Sequence, residues 1–312
     1  MPVDPQVQEF LDQIAALGLP PHYEVGAVKA RENAKMRPRG AGPEVGAVEN
    51  LTVPGMDVDV PVRVYWPGDD GPFPILVWIH GGGMVVGTLE TCDAACRRLC
   101  LGAECVVVSV DYRLAPEDPF PAAAEDSYAA VKWASANAGS IKGDASRLAV
   151  GGESAGGNLA AAVALMARDR GGPSIVHQSI INPMLGLDFD TESYLRNAEG
   201  YFLTRRTMMW YWEQYLQRPE DRENPYAVLM CAEDLSGLPP ALLMAGEYDP
   251  LLSETEAYAE RLQAAGVAAT FSYYAGASHN FYNMPPSVDI AVRAMGEIIE
   301  AVRAAFGSGV KA

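Results

Sequence analysis

The chain has 312 residues, of which 49% are hydrophobic and 20% are charged, a composition typical of an ordered globular protein. Its formal net charge of −17 makes nucleic acid an unfavourable partner, because an acidic surface repels phosphate groups. No run reaches the roughly eighteen apolar residues that a membrane-spanning helix needs. The N-terminal segment lacks the basic start of a secretory signal, and five cysteines fit a reducing compartment, so a cytoplasmic location is expected.

Strand-like and helical patterns alternate along most of the chain. Apolar residues recur at helical spacing over 6–17, and a loop is predicted at 37–46. Short apolar runs typical of strands lie at 45–53, 58–66, 75–80, 105–112, 147–152, 174–182, 241–246 and 269–275. Helical patterns lie at 90–101, 121–137, 155–169, 206–217, 253–265 and 287–305. The alternation predicts an α/β fold with helices on both faces of a mostly parallel sheet.

Residues 183–238 interrupt this alternation. They hold more chain than a simple crossover needs and include the aromatic run MMWYWEQYL. We interpret them as an insertion that covers one end of the sheet. Neither an internal repeat nor a linker divides the chain, so a single domain over 1–312 is predicted.

One serine lies among glycines in the stretch GGESAGGN. Gly152, Ser154 and Gly156 form the pattern G-x-S-x-G between a strand-like run and a helical one, which is the context of a nucleophile elbow. Small neighbours let the chain turn sharply and leave the serine hydroxyl exposed at the carboxyl end of the sheet. An ordinary glycine-rich turn is the alternative. A phosphate-binding loop is disfavoured, because no lysine follows the glycines.

The sequence HGGG at residues 80–83 directly follows an apolar run. Successive glycines expose backbone N–H groups, which can stabilise the oxyanion of an acyl-transfer intermediate. We expect Gly81 and Gly82 to donate to this oxyanion, together with Ala155, the residue after the serine. His80 is interpreted as holding the loop by hydrogen bonds rather than as the catalytic base.

A serine hydroxyl is a weak nucleophile and needs a base. The chain has four histidines. His279 lies in a loop after the last strand-like run, where catalytic groups gather in α/β sheets. His22 lies far upstream, and His177 lies within an apolar run, as a core histidine would. His279 is therefore the predicted base.

The base in turn needs an orienting carboxylate. Asp249 directly follows a strand-like run, and the order Ser154, Asp249, His279 is the chain order of α/β-hydrolases. A helix cap is the alternative role for Asp249. Glu247 and Glu254 are reserve candidates for the acid.

Three cysteines, Cys92, Cys96 and Cys100, recur every four residues on a predicted helix. A structural zinc ion needs four ligands, and neither a partner cluster nor an HExxH pattern is present, so no metal is predicted. Buried small hydrophobic side chains are the expected role of these thiols.

Large side chains of the insertion are candidates for a substrate pocket, with packing against the core as the alternative for each. They are Phe202, Met208, Met209, Trp210, Tyr211, Trp212 and Tyr215. We select Phe202, Met208 and Trp210, together with Met84 and Val85 beside the HGGG glycines.

These motifs together resemble the hormone-sensitive-lipase-like esterases, the bacterial HGGG or family IV carboxylesterases. The resemblance rests on HGGG, on DYRLAPE at 111–117, on GESAGGN and on the late Asp249 and His279. It implies an α/β-hydrolase core of about eight strands with a helical cap from about 1–45 and 183–238. It also implies hydrolysis of small carboxylic esters, usually with short to medium acyl chains, without a cofactor. Members often dimerise, which makes a homodimer a candidate assembly.

Three positions depart from the family pattern. Glu153 replaces the usual Asp before the serine, Asn280 replaces a Gly after the base, and Asp118 replaces a His. None removes a predicted triad member, so they bear on substrate preference more than on activity. An amidase, lactonase or acyltransferase using the same triad remains an alternative, as does a non-catalytic protein that binds a small ligand.

Overall fold

The computed structural model describes residues 2–37 and 40–307, and its centre is a sheet of eight strands. They are β1 (Ala47–Val53), β2 (Val60–Trp66), β3 (Phe73–Ile79), β4 (Val106–Val110), β5 (Gly143–Glu153), β6 (His177–Ile181), β7 (Ala241–Tyr248) and β8 (Ala269–Ser278). The order across the sheet is β1-β2-β4-β3-β5-β6-β7-β8. Among these described strands, β2 runs opposite to the other seven, so its pairings with β1 and β4 are antiparallel and the remaining pairings are parallel. Every strand-like run became a strand, which confirms the predicted mostly parallel sheet.

Side chains of the central strands alternate between two buried layers. On β3, Leu76 and Trp78 pack into one hydrophobic cluster, whereas Ile75, Val77 and Ile79 pack into another. Both faces are covered by helices, so apolar residues are required at successive positions. This is why the strand-like runs of the sequence are continuous rather than alternating.

Nine α-helices surround the sheet within the described residues. They are α1 (Pro5–Ala16), α2 (His22–Lys35), α3 (Leu89–Gly102), α4 (Ala122–Ala136), α5 (Ala155–Asp169), α6 (Glu192–Arg196), α7 (Arg205–Tyr215), α8 (Leu252–Ala264) and α9 (Asp289–Ala305). Helices α1, α3 and α9 contribute to the hydrophobic cluster on one face of the sheet. Helices α4, α5 and α8 cover the other face.

Two helices were not predicted from the sequence. Helix α2 contains a non-helical residue, Gly26 (φ 76°), which interrupts any regular apolar stripe. Helix α6 has only five residues and is too short for periodicity to show. The loop predicted at 37–46 has no helix or strand over 40–46, and its residues 38–39 lie outside the described residues.

The parallel strands place their carboxyl ends at one edge of the sheet, and three loops of interest start there. Ser154 follows β5, Asp249 follows β7 and His279 follows β8. Side chains of α1, α2 and α7 line a cavity over this edge. Carboxyl ends of parallel strands are where ligands bind in open α/β sheets.

The last part of the 183–238 interval lies elsewhere. Leu229 and Leu235 pack with α5 and α8 in the core rather than over the cavity. Within the part of the chain that the structure describes, no helix is both long and apolar enough to cross a membrane.

Candidate active site

Ser154 occupies a strained turn between β5 and α5. Its backbone has φ 55° and ψ −119°, a conformation that is rare for a residue with a side chain. A Cβ on Gly156 would lie 2.0 Å from the Ile79 carbonyl oxygen, and one on Gly152 would lie 2.4 Å from the Gly156 oxygen. Only glycine fits at both positions, so the G-x-S-x-G spacing is a steric requirement of this turn.

The turn leaves Ser154 against the cavity. Its N–H donates to the Ile181 oxygen at 2.8 Å, and its oxygen accepts from the Asn158 N–H at 3.0 Å, so both backbone groups are held. The side chain is 7% exposed and lines the cavity. The N-terminus of α5 begins at Ala155, directly beside the hydroxyl, and favours negative charge there.

Asp249 and His279 form a buried pair. His279 Nδ1 lies 2.7 Å from Asp249 Oδ2. The same carboxylate oxygen accepts from Asn182 Nδ2 at 2.6 Å, and Oδ1 accepts from the Leu251 N–H at 2.9 Å. Asp249 therefore closes the turn before α8 and faces His279, whereas α8 itself has no side-chain cap, so the structure does not bear out the helix-cap alternative. The fixed carboxylate orients the imidazole.

The three predicted triad residues thus gather at one edge of the sheet. Asp249 is fully buried, and His279 is 5% exposed. His279 and Ser154 line the same cavity. An imidazole held by a carboxylate and a serine on an elbow, both facing one cavity, form an arrangement suited to nucleophilic catalysis.

The HGGG loop departs from one expectation. Gly81 N–H donates to Glu153 Oε1 at 2.9 Å, so the prediction that Gly81 donates to the oxyanion is wrong. Gly82 and Gly83 have no acceptor for their N–H groups among the described residues. Gly82 has φ 124° and Gly83 φ 62°, so glycine is required by the backbone at both. The free donors of the loop lie one residue later than predicted.

Glu153 owes its unusual titration to burial. Its side chain is largely buried, with the residue 6% exposed, and this desolvation raises the pKa of its carboxyl from 4.5 to about 7, against the opposing Gly81 N–H bond. The spacing of 72 residues between these partners leaves no local trace in the sequence. From the sequence, Glu153 could be recognised only as a residue that differs from the family pattern.

His80 supports the loop, as expected. Its Nδ1 lies 2.8 Å from the Gly81 oxygen, and its ring stacks on Tyr112 at 4.3 Å. Tyr112 Oη also donates to the His80 oxygen at 2.8 Å. Burial lowers the pKa of His80 to about 4, so it is neutral at pH 7 and holds the loop as a hydrogen-bonding group.

The cavity has a volume of about 670 Å³ and reaches from Ser154 to the N-terminal helices. Its walls are apolar where Phe10 and Ile14 of α1 and Phe202 of the insertion lie. Polar groups of α3, Glu90 and Asp93, face it elsewhere. This size is typical of a site for a small-molecule ligand.

Four of the five selected pocket residues do not line this cavity. Met84 and Val85 are fully buried in the core cluster, and Met84 has a positive φ of 56°. On α7 the cavity is lined by Thr207 and Tyr211, whereas Met208 is buried in the core cluster and Trp210 packs against that cluster. Phe202 does line it, as predicted.

Sequence reasoning missed the contribution of His22 to this cavity. His22 Nδ1 lies 2.6 Å from Tyr211 Oη, and Arg37 Nη2 lies 3.3 Å from its Nε2. The Tyr211 ring in turn covers Gly83, where a Cβ would lie 2.1 Å from Tyr211 Cγ. Burial, with the Arg37 charge, lowers the pKa of His22 to about 4. The sequence offered no periodic signal for His22, since it begins an irregular helix.

The remaining candidates have other roles. His177 is buried, with Nε2 3.0 Å from Ser179 Oγ, as expected for a core histidine. Glu254 accepts from the Leu185 N–H at 2.9 Å and does not contact His279. Cys92, Cys96 and Cys100 are free and buried, as expected.

Comparisons with known proteins agree with this geometry. The profile of a family described by the α/β-hydrolase fold matches residues 76–283. The carboxylic ester hydrolase LipN of Mycobacterium tuberculosis is 42% identical over 84% of this chain and 72% of its own. The carboxylesterase NlhH of the same organism is 39% identical over 90% of each chain.

A solved structure agrees equally well. The hyperthermophilic esterase of the archaeon Pyrobaculum calidifontis superposes with a TM-score of 0.91 at 40% identity, over 97% of this chain and 99% of that one. The chain belongs to the α/β-hydrolase family, in its hormone-sensitive-lipase-like branch.

Proposed function

We propose that this protein is a serine carboxylesterase in which Ser154, Asp249 and His279 form the catalytic triad. The observation that carries the proposal is the buried Asp249–His279 pair at 2.7 Å beside a cavity that Ser154 also lines. Relatives named as carboxylic ester hydrolases support the same reaction. Small-molecule esters are therefore the proposed substrates.

The triad acts in two half-reactions. His279 takes the proton of the Ser154 hydroxyl as its oxygen attacks the ester carbonyl, and then gives this proton to the leaving alcohol. An acyl-enzyme remains. His279 next takes a proton from water, which attacks the acyl-enzyme, and the acid is released as Ser154 regains its proton. Asp249 stabilises the charged imidazole in both half-reactions.

The oxyanion is proposed to lie between the HGGG loop and α5. Gly82 and Gly83 supply unengaged N–H groups from the loop, and Ala155 supplies one from the first turn of α5. Removal of one such donor costs about 3–4 kcal/mol of transition-state stabilisation in comparable sites. Glu153 keeps Gly81 out of this set by engaging its N–H.

The cap is proposed to come from both predicted segments. Helices α1 and α2, within the predicted segment 1–45, line the cavity, as does α7 within 183–238. Met1 and residues 38–39 of the first segment lie outside the described residues. One α/β-hydrolase domain with this cap accounts for the described chain.

Substrate size, location and assembly complete the proposal. A partly enclosed cavity of about 670 Å³ favours esters with short to medium acyl chains over long lipids. Five free cysteines favour the reducing cytoplasm. A homodimer is proposed from the family resemblance, and the mass of the protein in solution, measured by light scattering, tests it.

Active-site labelling tests the nucleophile directly. A fluorophosphonate reacts with an activated serine, so we expect one label per chain, located on Ser154 by peptide mass spectrometry, and none in Ser154→Ala. Labelling of the wild type that an excess of substrate ester fails to slow would contradict the proposal. Absence of labelling in the folded wild type would favour a protein that only binds its ligand.

A further inference from the structure

The side chain of Arg31 on helix α2 forms hydrogen bonds to the loop that follows the HGGG glycines. Its Nε donates to the Val85 oxygen at 2.8 Å, and its Nη2 donates to the Ala115 oxygen at 2.8 Å. The same guanidinium forms a two-point ion pair with Glu117, with Nη1–Oε1 at 2.9 Å and Nη2–Oε2 at 2.6 Å. One side chain thus joins α2 to two loops that are far apart in sequence.

The loop held by Arg31 contains the proposed oxyanion donors. The Val85 N–H donates to the Gly82 oxygen at 3.1 Å, which closes a turn over Gly82, Gly83 and Met84. All three residues have positive φ, at 124°, 62° and 56°. Glycine adopts this conformation without strain, but Met84 has a side chain and is strained there, so the turn needs its surroundings to hold Met84 in place. Arg31 holds the end of this turn through its hydrogen bond to the Val85 carbonyl.

The second loop completes the support. The Ala115 N–H donates to the Met84 oxygen at 2.8 Å, while its own oxygen accepts from Arg31. The guanidinium therefore fixes Val85 directly and Met84 through Ala115. Arginine suits this position because its planar fork presents several N–H donors in fixed directions, which lysine does not.

Resting on the proposed esterase function, we infer that Arg31 is a positioning residue of the oxyanion hole. It touches no reacting atom. By holding the Val85 and Ala115 carbonyls, it keeps the Gly82 and Gly83 N–H groups aimed at the developing negative charge. Since preorganised donors act on the transition state and not on the bound ester, losing this support lowers kcat more than it raises KM.

The ion pair with Glu117 is not sufficient to account for the position of the Arg31 side chain. The Glu117 side chain is 51% exposed, and ion pairs at such positions contribute little to stability. Glu117→Gln is therefore a matched control, because it removes the charge partner and leaves both carbonyls in place. A purely structural ion pair predicts similar effects for Glu117→Gln and for Arg31→Met.

The kinetic test compares Arg31→Met, Arg31→Lys and Glu117→Gln with the wild type on p-nitrophenyl butyrate. We expect kcat to fall about 10- to 100-fold in Arg31→Met, less than the loss of a whole donor, with KM changing less than about threefold. Arg31→Lys retains the charge and is expected to recover part of kcat. Glu117→Gln is expected to remain within about twofold of the wild type.

The affinities of two related inhibitors give a second measurement that does not depend on the stability of the variants. A trifluoromethyl ketone forms a tetrahedral adduct with the serine and places an oxyanion in the hole, whereas the matching methyl ketone stays largely trigonal. We expect Arg31→Met to weaken the trifluoromethyl ketone in parallel with kcat/KM and to leave the methyl ketone unchanged. Both inhibitors are measured below the melting temperature of each variant, so only folded protein contributes.

The outcomes separate this inference from the esterase proposal. A wild type that hydrolyses no ester contradicts the proposed function. An active wild type with equal kcat in Arg31→Met, or with equal losses in Arg31→Met and Glu117→Gln, overturns the role of Arg31 and leaves the triad intact. If Arg31→Met fails to fold, the kcat values of Arg31→Lys and Glu117→Gln are compared instead. A lower kcat in Arg31→Lys supports the role of Arg31, and equal values overturn it.

Discussion

The imidazole of His279 and the carboxylate of Asp249 meet at 2.7 Å in a buried position, although 30 residues separate them. Asn182 donates to the same carboxylate oxygen at 2.6 Å. The carboxylate is thus fixed from two sides, and its second oxygen is fixed by the chain at Leu251. Such a pair sets the tautomer of the histidine.

Replacing Asp249 with Asn tests this pair. An amide can turn its NH2 group towards His279 and favour the wrong tautomer, so we expect kcat to fall about 10⁴-fold with little change in KM. Steady-state kinetics on p-nitrophenyl butyrate measure the effect. Glu254→Gln is the matched control, because Glu254 is a buried acid of the same region without contact to His279. Near wild-type activity in Asp249→Asn would show that a different residue orients His279.

Gly83 is predicted to tolerate no side chain. Its φ of 62° is strained for alanine, and the new Cβ would lie 2.1 Å from Tyr211 Cγ. We expect Gly83→Ala to lose about 1–3 kcal/mol of unfolding free energy through overpacking and to lose most esterase activity. Gly139→Ala is the control, since a Cβ there meets no atom within 4 Å. Urea denaturation and kinetics on both variants make the comparison, and a fully active Gly83→Ala would contradict the loop geometry.

The raised pKa of Glu153 predicts that the stability of the protein depends on pH. The pKa of its carboxyl is about 7 in the folded protein and 4.5 for an unperturbed glutamate, so the folded state holds this proton more tightly. Its contribution to the unfolding free energy is therefore complete below pH 4.5 and is lost as pH rises to about 7, by up to about 3 kcal/mol.

Glu153→Gln removes this titration and keeps an acceptor for the Gly81 N–H. We expect its unfolding free energy to decline less than that of the wild type between pH 4.5 and 7, with activity largely retained. Denaturation at a series of pH values measures the two slopes. Parallel slopes would show that Glu153 is charged in the folded protein throughout this range.

The lowered pKa of His177 predicts a pH dependence of stability opposite to that from Glu153. Burial lowers its pKa from 6.5 to about 4, so the unfolded chain binds a proton that the folded chain rejects. Its contribution to the unfolding free energy is complete above pH 6.5 and is lost as pH falls towards 4. His177→Gln is expected to flatten this acid slope without changing kcat, because His177 lies at the start of β6, away from the cavity. An unchanged slope would contradict the buried neutral state.

The sheet and the placement of the triad residues could be predicted because local sequence encodes both. Buried parallel strands require continuous apolar runs, and the elbow at Ser154 requires glycine at two fixed positions. Asp249 and His279 follow strands whose carboxyl ends must meet at one edge. Each of these constraints is read from a few neighbouring residues.

What could not be predicted depends on contacts between distant segments. Gly81 was assigned to the oxyanion because nothing near it in sequence shows that Glu153 accepts its N–H. Met84 and Val85 adjoin the glycines in sequence, yet both are buried in the core cluster and neither lines the cavity. Helix α2 was missed because Gly26 interrupts its pattern, and its residues His22 and Arg31 act through partners more than 50 positions away.

Ser154 is the proposed nucleophile of an esterase, and one comparison tests this role most directly. The rates of hydrolysis of p-nitrophenyl esters from acetyl to palmitoyl are measured for the wild type and for Ser154→Ala. We predict a maximum at short to medium acyl chains and a loss of kcat on the order of 10⁶-fold in the variant. Equal rates for the two folded proteins across the whole series would contradict the role of Ser154.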